Sequence, residues 1–226
     1  MTRNDLSTEA YSALLEAIMP IILRNGLKAT TMDLVASSLS MSKRTLYEIF
    51  DSKQNMIEQV LGHVFKRSEE QYTRIFREEP DVMTAMLRVF AHQRDIMSEV
   101  SPAFFRDMDT FKETRSSYED KDNCRNRQLM AVFRLGVEQG VFRPDVNYPV
   151  MMRMMKVQME SVKRMEELFP PDITLLQIYD SISLGFLRSI ASPAGMKLLD
   201  ASARELGFDV WCGYSEARQE NDKKDN

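Results

Sequence analysis

Cysteine, histidine and tryptophan are nearly missing from this 226-residue chain, which holds two, two and one of them respectively. Cys124 and Cys212 lie far apart, and neither has the neighbouring Cys or His that a zinc site or a disulfide framework needs. No metal is therefore expected, and a reducing cytoplasm is the expected location. His63 and His92 are equally isolated and read as packing or surface residues. No Ser/His/Asp or paired-carboxylate spacing stands out, which argues against an enzyme and leaves no cofactor to be held. No apolar run is long enough to span a bilayer. The first residues carry Asp5, Glu9 and Glu16 where a secretory leader needs positive charge followed by an apolar block, so no membrane partner is expected. Gly and Pro, at eight each, are few, and with abundant Met and Leu this favours a mostly helical protein.

An excess of positive charge is missing as well. The net charge is −4, but residues 1–67 hold eight Lys and Arg against seven Asp and Glu, a balance of +1, which leaves 22 against 27, or −5, for the rest. The acidity lies outside the N-terminal part. An anionic partner of that part is expected to be held by a small number of placed contacts, with modest non-specific affinity.

What the N-terminal part does contain is the stretch Thr31 to Lys53, TMDLVASSLSMSKRTLYEIFDSK. Thr31 is a good N-cap, and Met32, Val35, Ala36 and Leu39 recur at spacings of three and four, giving one apolar stripe on a short helix. Ser40 and Met41 form a turn. Ser42 is a second N-cap, after which Leu46, Ile49 and Phe50 make a second stripe and Lys43, Arg44, Thr45 and Tyr47 are left on the other face. A helix whose first turn offers such donors beside a positively polarised N-terminus suits an anionic partner with readable edges. Double-stranded DNA is such a partner. In a helix-turn-helix the second helix enters the major groove N-terminus first, so Lys43, Arg44 and Thr45 would meet base edges, while Thr31, Tyr47 and Lys53 lie where phosphates run.

Leu27 to Leu61 resembles the DNA-binding domain of the TetR family of bacterial transcriptional regulators. The resemblance rests on Gly26, Thr31, Val35-Ala36, Ser42, Thr45-Leu46-Tyr47, Phe50 and Ser52-Lys53, in that order. Three positions depart from the family pattern. Ser40 stands where the turn glycine is usual and is expected to take a positive φ, Arg44 replaces a small residue and is a candidate for guanine readout, and Ile49 replaces a Tyr or His that often reaches a phosphate. The resemblance implies an all-α fold: an N-terminal three-helix helix-turn-helix DNA-binding domain, here residues 1–53 continuing into a connecting helix 52–77, and a C-terminal helical ligand-binding and dimerisation domain, residues 78–214.

Helical spacing supports that outline. Tyr11 to Leu23 predict a first helix over about 8–25, capped by Ser7, ended by Gly26 and kinked but unbroken at Pro20. Further stripes predict helices over about 81–99, 103–114, 118–139, 147–168, 173–191 and 196–206, with a turn at Gly140 to Asp145. The segment from 215 to 226 is polar and reads as a disordered tail, with Trp211 and Tyr214 as its tether.

The helix over 173–191 is apolar almost all round and so needs cover on more than one side. A homodimer supplies it, and Val150, Met154, Val162, Leu176, Tyr179, Phe186 and Leu187 are the candidate interface residues. The seventeen methionines suit an adaptable apolar interior. The resemblance implies a cavity between the helices from 81 to 168. Met86, Phe90, Phe104, Phe105, Met108, Met130, Phe133 and Met155 are its candidate lining, pointing to a small apolar or aromatic effector. The function expected is a ligand-responsive regulator, a repressor in most of the family. A helical sensor or scaffold with a degenerate DNA-reading head, or a small all-α enzyme, would be the alternatives.

Overall fold

The computed structural model of the protein describes residues 6–110 and 127–208, and these are helical almost throughout. Helix α1, Thr8–Asn25, starts where the Ser7 side chain accepts from the amide of Ala10, runs unbroken through Pro20, and ends at Gly26 with φ of 80°. Helices α2, Met32–Ser38, and α3, Lys43–Phe50, form the hairpin, and α4, Lys53–Glu78, follows as the long connector. Then come α5, Val82–Ser98, and α6, Pro102–Thr110; residues 127–138 are the described part of α7. Helix α8 is Tyr148–Ser161, α9 is Met165–Leu168, α10 is Leu175–Ile190 and α11 is Pro193–Glu205. The predicted stripes over 111–126, and Trp211, Tyr214 and the tail from 215, lie outside the described residues.

Two clusters of buried apolar side chains organise the chain. The first joins α1 to α4 through Leu15, Ile18, Ile22, Val35, Leu46, Ile49, Phe50, Met56 and Val60, and it makes the N-terminal helices one compact head. The second is built round α5, whose Met83, Met86, Leu87 and Phe90 meet Phe133 of α7, Leu184 and Leu187 of α10, and Leu199 of α11. Beside it the Tyr179 hydroxyl, whose pKa burial pushes well up, donates toward the Phe90 carbonyl at 3.2 Å and Gln93 Oε1 at 2.8 Å. The turn after α7 is clasped to the end of α10, with an isolated antiparallel bridge between Phe142 and Ala191 and the Ser192 amide on the Val141 carbonyl at 3.0 Å. Gly195 lets α11 start against that turn, since a Cβ there would stand 1.9 Å from the Val141 carbonyl oxygen.

Two sequence expectations need correction. The helix expected over 147–168 is interrupted by a 3-10 turn at Val162–Arg164, which tightens the backbone enough to bury Val162 where the chain meets α6 and α10. The apolar circumference of α10 is also used up within one chain. It packs on α5, α8 and α11, so Tyr179, Phe186 and Leu187, like Val162, are core residues and not an exposed interface. Leu176 is half-buried. The uncovered residues of α10 are Gln177, Ser181, Gly185, Arg188 and Ser189. The exposed apolar stripe belongs to α8, where Val150, Met154 and Val157 are 50%, 51% and 63% exposed at spacings of four and three.

Candidate nucleic-acid interface

The hairpin is held by its caps. Thr31 Oγ1 accepts from the amide of Leu34 at 3.1 Å, and Ser42 Oγ accepts from the amide of Thr45 at 3.0 Å. Between the two helices Ser40 takes φ of 52°, as its replacement of glycine implied, and the amide of Met41 reaches back to the Ala36 carbonyl at 2.9 Å. Asp51, after α3, also lies in the left-handed region with φ of 59°, which the sequence did not suggest. Met32, Val35 and Ala36 on α2 and Leu46, Ile49 and Phe50 on α3 are buried against the head's core, so the orientation of α3 is set by packing.

Packing leaves Lys43, Arg44 and Tyr47 outward on α3, with the Arg44 side chain 88% exposed. Thr45 is half-buried and its hydroxyl lies 2.7 Å from Ser42 Oγ, close to the capping bond. Thr31 and Ser42 are exposed. Lys53 is drawn inward: its ammonium donates to the Lys28 carbonyl at 2.7 Å, and burial lowers its pKa against the opposing pull of Asp107. In this conformation it ties α4 to the α1–α2 connection.

Each outward cation has a carboxylate beside it. Lys43 Nζ is 2.9 Å from Asp33 Oδ2 on α2, and Arg44 Nε is 2.9 Å from Glu48 Oε1 one turn along α3. The hydrogen bonds raise the pKa of both cations, and that from Arg44 lowers the pKa of Glu48. Both pairs are at the surface, so exchange of these carboxylates for another anion is inexpensive. Asp33 and Glu48 were missed in the sequence, although the spacing of four between Arg44 and Glu48 was a usable signal.

The expected effector lining is divided by the fold. Met86, Phe90 and Phe133 are in the second core, and Met130 and Met155 pack against it. Phe104 and Met108 pack instead against the head's core, because α6 lies on α1; they are corrected from cavity lining to contacts between the two parts. Phe105 meets Phe104 edge-on, ring centres 5.9 Å apart. Met130 and Phe133 do line a half-open groove of about 520 Å³, together with Arg134, Val137, Val146 and Tyr148. The Tyr148 ring stacks on Phe133 at 4.9 Å. Among the described residues no cluster of His, Cys, Asp or Glu suits a metal, and no helix is long and apolar enough to cross a membrane.

Known proteins are similar to this chain in sequence and in fold. Residues 14–60 match the family described as bacterial regulatory proteins, tetR family. The HTH-type transcriptional regulator YvkB of Bacillus subtilis is 28% identical over 104 residues, 42% of this chain and 53% of that protein, so the chain spans about half the length of this relative. The HTH-type transcriptional repressor KstR2 of Rhodococcus jostii is 25% identical over 148 residues, covering 63% of this chain and 72% of the relative. Among solved structures, the ketosteroid transcriptional regulator KstR2 of Mycobacterium tuberculosis matches with a TM-score of 0.54 and 20% identity over 83% of this chain and 97% of its own. A transcriptional regulator from Saccharomonospora viridis in complex with choline matches with a TM-score of 0.61 and 17% identity over 82% and 100%. These structural likenesses establish the fold.

Proposed function

Because this chain belongs to the TetR family of bacterial regulatory proteins, and is accordingly a transcriptional regulator and not an enzyme, we propose that it is a ligand-responsive repressor. In this reading it binds a palindromic double-stranded DNA operator as a homodimer and is released by a small apolar or aromatic effector. Residues 1–53 with the connector form the reading part, residues 78–214 bind the effector and the second subunit, and the protein works in the cytoplasm.

The observation that carries this reading is the first turn of α3, where Ser42 caps the helix and Lys43 and Arg44 project from a rigid head. Base edges take the place of Asp33 and Glu48 there. Arg44 is suited to a guanine, while Tyr47 and the hydroxyl of Thr31 lie where phosphates pass. The homodimer is supported by the exposed Val150, Met154 and Val157 on α8, beside the small uncovered residues of α10. A two-fold axis there gives two reading helices and hence an inverted repeat. Repression is supported by the name of the Rhodococcus jostii relative, and a small effector by the choline complex of the Saccharomonospora viridis regulator. The groove beside Phe133 and Tyr148 is a first place for the effector to sit. An effector that prefers the conformer with misplaced heads weakens DNA binding by its differential affinity, and DNA weakens the effector equally.

Selection of bound sequences from random duplex DNA tests the reading. Recovery of an inverted repeat protected by one dimer is the expected result, and recovery of no sequence preference would remove it.

A further inference from the structure

We propose that Asp107, on α6 of the effector-binding part, is a positioning residue for DNA binding: its carboxylate holds the α1–α2 connection, and through it the start of α2, in the orientation that lets α3 reach the groove. The proposal rests on the DNA-binding reading of α3 but concerns a residue well outside the reading turn.

Asp107 is only 8% exposed, unusual for a carboxylate, and it spends that burial on a contact 79 residues away: Oδ2 accepts from the backbone amide of Lys28 at 2.7 Å. The close approach depends on Gly26. A Cβ at this residue, whose φ is +80°, would stand 2.8 Å from Asp107 Oδ2 and 3.1 Å from Ala103 Cβ. Lys28 is gripped from the other side as well, since its carbonyl accepts from Lys53 Nζ of α4 at 2.7 Å. The connection is then closed on itself by the buried Thr30, whose hydroxyl donates to the Gly26 carbonyl at 2.6 Å, and the next residue, Thr31, caps α2. Three residues therefore separate the amide that Asp107 holds from the first residue of the reading hairpin.

Helix α6 is anchored along this seam by the amide of Ser101 on the Leu23 carbonyl at 2.9 Å and by Glu99 on Arg24 at 2.9 Å. Its other neighbour is the 3-10 turn that ends α8. A shift of α6 against α1 must either carry Lys28 with it or leave a buried carboxylate and a backbone amide without each other, and the second is the more costly.

The test uses the full chain and an operator recovered by selection. Asp107→Ala removes the acceptor, whereas Asp107→Asn keeps an oxygen able to accept from Lys28 and removes the charge. We expect D107A to weaken operator binding by about tenfold and to speed hydrogen exchange at the Lys28 amide, and D107N to restore both to within about threefold of the wild type. Should D107A fail to fold, Asp107→Ser, too short to reach Lys28, gives the same comparison. Unchanged operator affinity in a folded D107A or D107S overturns the positioning role while wild-type binding keeps the reading of α3 intact. D107N as weak as D107A overturns the hydrogen bond to Lys28 as the cause. A wild type that binds no duplex overturns the reading of α3 and this proposal with it.

Discussion

Replacement of Arg44 by Ala is the perturbation whose outcome follows most directly from the geometry. The side chain is 88% exposed and supports no packing, so the fold should be untouched. A guanidinium set against a guanine in the major groove contributes about 5- to 150-fold in discrimination against another base. From this must be subtracted what Arg44 gives up on binding, its pair with Glu48 at 2.9 Å. An exposed i,i+4 pair is worth no more than about twofold, so it does not cancel the gain. The variant also takes the Arg44 guanidinium away from the Glu48 carboxylate. Anisotropy titrations of the selected operator and of a scrambled duplex of equal length, at one salt concentration, should therefore show the operator-to-scrambled ratio reduced by a factor of between about three and about a hundred. A ratio unchanged within about twofold, in a variant that still folds, would refute the placement of Arg44 at a base edge.

Three other outcomes follow. Ser40 sits at φ of 52°, where a side chain costs roughly 1–2 kcal/mol, and glycine's added freedom in the unfolded chain returns about 0.4–1 kcal/mol; Ser40→Gly should thus stabilise by up to about 1.6 kcal/mol in denaturant titration, and a loss of stability would contradict this balance. Val150→Asp with Met154→Asp places charge on the exposed stripe of α8 and should convert dimer to monomer in sedimentation without loss of helicity; an unchanged dimer would rule that stripe out as the interface. Gly195→Ala puts a Cβ 1.9 Å from the Val141 carbonyl oxygen, and overpacking against backbone of about 1–3 kcal/mol should lower the melting temperature by a few to about ten degrees; an unchanged melting temperature would mean that the clasp yields freely.

The head was legible because its determinants are local. Ser7, Thr31, Ser42 and Ser52 all cap the helices that follow them, and the stripes on α2 and α3 fall on the buried side. Even the backbone strain at Ser40 follows from a missing glycine. The part after the connector was less legible, since an apolar residue carries no mark of what covers it. Tyr179, Phe186 and Leu187 look the same whether a second chain or α5, α8 and α11 lie against them, and Phe104 and Met108 do not announce that α6 faces the head. Contacts between distant residues were invisible: nothing near Asp107 in the chain points to Lys28, and nothing near Lys43 singles out Asp33.

The central claim, that the first turn of α3 reads base edges in the major groove, is tested most directly by replacing guanines of the selected operator one at a time with 7-deazaguanine, which deletes the N7 acceptor and leaves pairing intact. The wild type should lose affinity at one symmetry-related guanine in each half-site, and Arg44→Ala should be indifferent to the same replacement. Binding that ignores every such replacement, or an Arg44→Ala variant as sensitive as the wild type, would contradict it.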